Sequence, residues 1–479
     1  MDIKKKIEGM IERALKEMGV EFEIIEVEEP RVSGNGDYSS NIAMRLSSTL
    51  KKNPLDIAND IVSKIEMDGD IEKVEAVKPG FVNFFVSNQY LLKELSKVKS
   101  GEFTNIGGKE GKKIVIEYTD ANPFKILHIG HLYTNIVGES FARLSEALGA
   151  TVKRANYQGD VGLHVAKTLW GIVKMMEENG VSFKDVEQKS LVERVKYLGE
   201  AYMLGFKYYD DDKDEVAIKE IDAINYYIFS MFISQLEKKE VPVYEGVDLK
   251  DMYQKGRLWC LDYFETIYER LGTTFDYYFF ESEVGESGLK IVLDNVGSVF
   301  KEDDGAIIYE GDKEKGLHTR VFVNKYGIPT YEAKDLGLAI KKSELVEYDE
   351  SIIITGNEQS GYFKVLLDAL SKLRKDLAEK TVHMPHGMVK LPGAEKMSSR
   401  KGKIIDAQWL LDETKDKVLA IMEENGKGGK EKNAEKIAQA AIKYAFLKVG
   451  VGKDVIFDFE KSISFDGDTG PYLLYVYER

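Results

Sequence analysis

Hydrophobic spacing changes several times along this 479-residue chain, and each change marks a predicted element. Ile, Met and Leu recur at helical spacing among the charges of MDIKKKIEGMIERALKEMG, which predicts an amphipathic first helix. A strand is expected over Glu21–Val27, a loop over Glu29–Tyr38, a helix through Asn41–Leu50 and a second helix from Pro54. Phe81–Val86 reads as a last strand, and Gly101–Gly111, with four glycines, reads as a linker. Residues 1–108 are therefore expected to form a small α/β domain.

A different pattern begins at Lys112–Tyr118 (KKIVIEY), a β-branched run bounded by turn residues. A polar loop follows, then helical spacing over Ile129–Leu148 ending at Gly149, a strand over Thr151–Tyr157, and a helix over Asp160–Glu178 closed by Gly180. This β-α-β-α order predicts an α/β fold with a doubly wound, Rossmann-like parallel sheet. Residues of about 181–300 read as a helical insertion. Strand signals return at Ala306–Tyr309, Thr319–Val323 and Ser351–Thr355, with helices from Glu332 and Gln359, and are expected to complete the sheet. The catalytic domain is thus placed at 109–403. Residues 404–479 read as helical, over Ala407–Glu424, Ala434–Val449 and from Tyr472, with a Gly/Lys-rich loop at Asn425–Asn433.

Composition changes this picture only a little. A hydrophobic content of 43% and a charged content of 31% describe a globular chain with ample core. No apolar run reaches 18 residues and the first residues lack a signal-peptide core, so a cytoplasmic location is expected. Cys260 is the one cysteine, which excludes a disulfide framework and a Cys-cluster zinc site. The net charge of −15 argues against indiscriminate nucleic-acid binding while leaving room for a local basic track, and it suits a cationic substrate. Cys260, Trp170 and Tyr226–Phe232 are read as core.

Two segments carry the chemistry. In Ala121–His131 (ANPFKILHIGH), His128 and His131 lie three apart where a helix is expected to start, so both imidazoles share its first turn. That turn offers unpaired N–H groups and the positive dipole end, Gly130 leaves room for close approach of a nucleotide, and Pro123 keeps Asn122 extended. Neutral imidazole N–H donors aimed at an α-phosphate would stabilise its transition state. A metal pair is disfavoured because no third ligand has a matching spacing. The second segment, Lys396–Gly402 (KMSSRKG), is a cationic loop suited to closing over the β- and γ-phosphates. Alone, either segment also fits an ordinary helix start or a solvated loop; together, after the first strand of an α/β sheet, they point to adenylyl transfer from ATP.

These segments resemble the H-I-G-H and K-M-S-K-S signatures of class I aminoacyl-tRNA synthetases, and the chain most resembles their arginyl members. Further matching segments are GDYSSNIAM at 36–44, RANYQGD at 154–160, YEAKD at 331–335, NEQS at 357–360 and SFDGDTGPY at 464–472. Ser399 stands where the signature has its second lysine, and Lys401 lies two places later, so Lys125, Lys396 and Lys401 share a role that spacing does not apportion. The resemblance implies His128, His131, Lys396 and Lys401 as catalytic residues. It implies ATP binding by Lys125, His128, Gly130, His131, Lys396, Met397 and Ser398, with ATP taken as its Mg²⁺ complex and no tightly bound cofactor or metal.

The same resemblance implies that Glu117 and Asn122 hold the amino acid, with Tyr331 and Asp335 around its guanidinium and Gln359 nearby. A planar group with five donors calls for carboxylates, and Tyr331 and Asp335 fall at i and i+4 on one helix face. Acids with no nearby cation would select arginine over neutral amino acids, and bidentate contact would reject lysine. The implied function is ligation of arginine to tRNA(Arg) through an arginyl-adenylate, by a monomer, with tRNA bound before the first step. Residues 1–108 are then expected to meet the tRNA elbow and 404–479 to begin an anticodon-binding bundle, cut short, with weakened tRNA binding. Another class I synthetase, a nucleotidyltransferase and an inactive tRNA-binding relative remain as alternatives.

Overall fold

The computed structural model describes residues 3–22, 24–30, 34–100, 107–237, 243–390, 392, 405–424 and 431–479. It divides into two compact units, Met1–Gly107 and Gly108–Arg479.

In the first unit, α1 (Ile3–Glu17) is followed by β1 (Tyr38–Ser40), α2 (Ile42–Leu50), α3 (Pro54–Lys64), β2 (Ile71–Val77), β3 (Phe81–Val86) and α4 (Asn88–Ser100). The strands form an antiparallel sheet in the order β1-β3-β2. Ile7, Ile11 and Leu15 of α1 and Ile57 and Ile61 of α3 share one buried cluster with Val82 and Phe84 of β3. Asn53 caps α3 by accepting from the Leu55 N–H, with Pro54 at the first helical position. The expected strand at 21–27 does not form among the described residues; pairing there is a single bridge, Glu28 to Ser39. Its partner β1 spans three residues, so its free edge offers little length for a further strand.

The second unit begins with β4 (Lys113–Glu117), α5 (Ile129–Ala147), β5 (Thr151–Gln158) and α6 (Leu163–Asn179). Helices α7 (Phe183–Glu187), α8 (Leu191–Phe206), α9 (Glu215–Ser230) and α10 (Leu249–Leu271) follow, then β6 (Tyr277–Phe280) and α11 (Glu281–Asp294). Next come β7 (Lys301–Asp303), β8 (Ala306–Tyr309), β9 (Arg320–Val323), α12 (Tyr331–Leu345), β10 (Glu350–Gly356), α13 (Ser360–Leu373), α14 (Lys375–Lys380), β11 (Thr381–His386) and β12 (Val389–Lys390). The chain closes with α15 (Ala407–Glu424), α16 (Glu431–Leu447), β13 (Val455–Ile456), α17 (Phe459–Ile463) and α18 (Gly470–Glu478).

Five parallel strands form the main sheet in the order β11-β10-β4-β5-β6. The expected doubly wound α/β architecture is therefore present. Strand order reverses between β4 and β10, and such a switch point opens a crevice beyond the strands' carboxyl ends. The three central residues of KIVIE are apolar in succession because β4 is covered on both faces: Ile114 and Ile116 join one core cluster, Val115 another.

Two expectations need correction. The stretch read as an insertion contains β6, the edge strand of the main sheet; four consecutive aromatics, YYFF, are too short a run to show a period. Strands β8 and β9 do not complete the parallel sheet but form a separate antiparallel sheet with β7, as short connections between neighbouring strands require. Helices α15 and α16 place Leu410, Leu411, Ile442 and Phe446 in the same core as the sheet, and Arg270 of α10 ties them with bonds to Asp412 and Glu435. No helix among the described residues is long and apolar enough to cross a membrane.

Candidate active site

The loop leaving β4 holds three non-glycine residues in the left-handed region: Thr119 (φ 83°), Asp120 (φ 48°) and Phe124 (φ 65°). Each such conformation costs about 1–3 kcal/mol and persists only where surroundings enforce it. Here Thr119 Oγ1 accepts from Asn135 Nδ2 at 3.0 Å, and Asp120 Oδ1 accepts from the Tyr157 N–H at 3.0 Å. The buried Phe124 ring stacks on Tyr253, and its N–H donates to the thiol sulfur of Cys260 at 3.2 Å. Asn122 Oδ1 accepts from the Gly159 N–H at 2.9 Å, which fixes its amide against the end of β5.

This loop delivers His128 as N-cap of α5 and His131 as its third residue. His128 Nδ1 accepts from the Gly130 N–H at 3.1 Å, and His131 Nδ1 accepts from the His128 N–H at 3.3 Å. The rings stack with centroids 3.8 Å apart. Burial, helped by the Lys125 charge, depresses His128 to about 4; burial, then His128 and Lys125, holds His131 well below the usual imidazole range. Both rings are thus neutral at pH 7, and since each Nδ1 accepts, each proton sits on Nε2.

The expected free N–H groups at this helix start are already used. His128 and His131 form a reciprocal capping box, and the Ile129 N–H donates to the Ile405 carbonyl at 2.9 Å. A ligand anion would meet the two Nε2–H donors and the helix dipole, not open backbone amides. Gly130 also has a different use from the one expected. A Cβ there would lie 2.8 Å from His128 Cε1, so the missing side chain makes room for the imidazole itself.

Lys125 places Nζ 5.6 Å from the Tyr202 ring centroid, and burial together with the Lys167 charge lowers it. Lys396, Met397, Ser398 and Lys401 lie outside the described residues. The chain on either side of them is anchored at α5. Downstream, Ile405 accepts from Ile129, the Ala407 N–H donates to the Leu127 carbonyl, and Asp406 bridges His128. Upstream, His386 Nε2 is 2.8 Å from Thr134 Oγ1, one turn into the same helix.

Acids gather on the other side of β4. Glu117 ends that strand, and its Cα partner on β5 is Ala155, so Tyr157 two residues on shares its face. Asp335 on α12 accepts from the Tyr362 hydroxyl. Burial pushes Asp335 up to about 8, with the Tyr362 bond opposing and Glu117 adding. Burial followed by the Glu117 charge also holds Asp120 well above the usual carboxylate range. Tyr331 opens α12, half exposed, with Lys334 Nζ 4.5 Å from its ring centroid. Gln359 is exposed on the turn just past β10.

The expectation of acids without a neighbouring cation does not hold. Lys342 Nζ lies 2.6 Å from Glu117 Oε2, both side chains almost fully buried, and Lys334 is bonded to the buried Glu281. Sequence reasoning missed Lys342, Lys334, Glu281, Asp120, Tyr157 and Tyr362. Lys342 follows Asp335 by seven positions, two helical turns, which is the one periodic signal it carries. The Tyr157 hydroxyl is buried without a partner among the described residues, in the field of Asp335, Glu281, Tyr362 and Glu117. No three or more His, Cys, Asp or Glu side chains among the described residues are placed to hold one metal ion.

Paired imidazoles and buried acids thus flank the carboxyl end of β4, the first strand at the switch point. The family profile described as tRNA synthetases class I (R), catalytic domain, matches residues 94–459. The chain belongs to this family. The profile of the arginyl tRNA synthetase N terminal domain matches residues 2–86. Among curated relatives, the Treponema denticola arginine–tRNA ligase is 29% identical over 95% of this chain and 75% of its own length. Those of Borreliella burgdorferi and Borrelia hermsii are 29% and 30% identical over all of this chain and 80% of theirs. The arginyl-tRNA synthetase structures from Thermus thermophilus and Plasmodium falciparum share the fold, each with a TM-score of 0.69 at 22% and 21% identity, covering 99% and 100% of this chain and 80% of each of those chains.

Proposed function

We infer that this chain is an arginine–tRNA ligase, an ATP-dependent enzyme that makes arginyl-adenylate and then arginyl-tRNA. The observation that carries the reading is the bonding of Ile405–Ala407 to Leu127–Ile129, which anchors the chain three residues beyond KMSSRKG at the helix start bearing both histidines. Lys401 is four residues from that anchor, a covalent reach of about 14 Å at most.

In the first step the arginine carboxylate attacks the α-phosphorus of ATP, taken as its Mg²⁺ complex, and the bond to pyrophosphate breaks. The Nε2–H groups of His128 and His131 donate to the phosphoryl oxygens as charge develops; Lys125, Lys396 and Lys401 offset the leaving pyrophosphate, with Met397 and Ser398 beside them. Gly130 gives the His128 ring its place. Glu117, Asp335 and Tyr331 hold the guanidinium, and Asn122 and Gln359 hold the rest of the amino acid. In the second step a ribose hydroxyl of the terminal adenosine of tRNA(Arg) attacks the acyl carbon and AMP leaves. Residues 1–108 serve the tRNA elbow, 109–403 the chemistry and 404–479 the anticodon side, in a cytoplasmic monomer.

Pyrophosphate exchange with each amino acid, run with and without tRNA, tests the reading. Exchange with arginine alone among the amino acids, and dependent on tRNA, is expected. Exchange with lysine or glutamate in its place would overturn it.

A further inference from the structure

A site for a cationic amino acid carries two buried lysines, and their placement explains how it works. Four carboxyls converge here: Glu117 at the end of β4, Asp120 in the loop beyond it, Glu281 at the start of α11 and Asp335 on α12. Tyr157 from β5 lies in the field of Glu117, Glu281 and Asp335, the Tyr362 hydroxyl from α13 donates to Asp335, and Tyr348 before β10 lies in the field of Glu117 and Lys342. Lys334 is committed to Glu281 and Lys342 to Glu117, whereas among the described residues Asp120 and Asp335 accept from neutral donors, the Tyr157 N–H and the Tyr362 hydroxyl. Apolar Leu338, Ile353, Leu366 and Leu370 line the small cavity that Glu117 and Lys342 share with Asp335. A buried carboxylate in such surroundings needs a charged hydrogen-bond partner to keep both its charge and its direction. The bond from Lys342 takes Oε2 of Glu117, and no partner is bonded to Oε1 among the described residues.

We propose that Lys342 is a positioning residue for the amino-acid substrate: from inside α12 it fixes the Glu117 carboxylate by one oxygen, so that the other is presented to the guanidinium beside Asp335. This rests on the arginine reading and deepens it. A cation donating to one oxygen holds the carboxylate in direction while leaving its second edge clear. The neighbouring Lys341 supplies a built-in comparison, since it pairs with Glu283 at the surface, away from the acids.

The test compares Lys342→Gln, Lys342→Met, Lys342→Arg and Lys341→Gln with the unaltered chain, measuring KM for arginine, KM for ATP and kcat in tRNA-dependent exchange, with thermal unfolding of each. Lys342→Met is expected to raise the arginine KM about 10- to 100-fold while the ATP KM changes less than about twofold. Lys342→Gln, which keeps a donor, should fall between, Lys342→Arg should recover most of the affinity, and Lys341→Gln should leave all three constants unchanged. An arginine KM that is unchanged or lower in Lys342→Met would overturn the proposal, since removing a positive charge would then simply favour a cation. Equal losses for arginine and ATP, or no recovery with arginine at 342, would equally overturn it in favour of a general packing role. Should Lys342→Met not fold, Lys342→Gln and Lys342→Arg decide the matter alone. Exchange by the unaltered chain with an amino acid other than arginine would refute the functional reading separately, before any variant is compared.

Discussion

A methyl group on Gly130 would sit 2.8 Å from Cε1 and 2.9 Å from Nδ1 of the His128 ring, closer than real contacts allow. Gly130→Ala should therefore turn the imidazole out of its capping position and lower kcat about tenfold or more. Thermal unfolding should not show a matching loss, because alanine is the better helix former by about 1 kcal/mol. The histidine pair and Asp335 have opposite displacements. His128 and His131 are held low and stay neutral through the mildly acid range, so kcat should show no imidazole step between about pH 5 and pH 7. Asp335 is pushed up to about 8, and a guanidinium binds its ionised form. The arginine KM is thus expected to fall about tenfold per pH unit on raising pH toward 8 and to level above it. A pH profile of kcat and of kcat/KM for arginine separates the two effects. At this scale the histidine pair was legible because its geometry is local: a cap and its third residue are three positions apart. Lys342 was not, being 225 residues from Glu117.

Among the elements, those with long periodic patterns matched their predicted spans closely. Helix α5 was expected at 129–148 and runs to Ala147; α15 coincides with the predicted Ala407–Glu424. Strand β6 and the pairing of β7, β8 and β9 were missed because four-residue runs do not reveal their partners. Helix-on-helix contact depends on single small residues that no period marks. A Cβ on Gly171 of α6 would lie 2.0 Å from the Ala201 carbonyl oxygen of α8, and one on Gly205 of α8 would lie 2.2 Å from the Lys167 carbonyl oxygen of α6. The two helices thus approach through backbone at both points, which holds Lys167 in place with its ion pair to Asp210. Gly171→Ala is expected to force them apart and to lower stability by about 1–3 kcal/mol. Urea unfolding followed by circular dichroism would measure it.

Over the whole molecule, the β-α-β-α alternation was enough to determine a parallel sheet covered by helices, because a parallel strand pair needs a crossover and the crossover is usually a helix. The resemblance that assigned the chain to arginyl-type synthetases was equally a property of the sequence, carried by segments that each span a few residues. What the alternation left open was the order of strands: β10 and β11 add on the far side of β4 from β5 and β6, and this puts the switch point beside Glu117. The tertiary structure alone decided which charges face one another there. It brought Lys342 and Lys334 into a site read as purely acidic, gave Asp120 and Asp335 neutral hydrogen-bond donors, and closed the helix start with its own histidines. Local pattern dictates a residue's element and the face it lies on. A buried charge is matched by whatever partner the packed chain brings within hydrogen-bond distance, and sequence separation places no constraint on that choice.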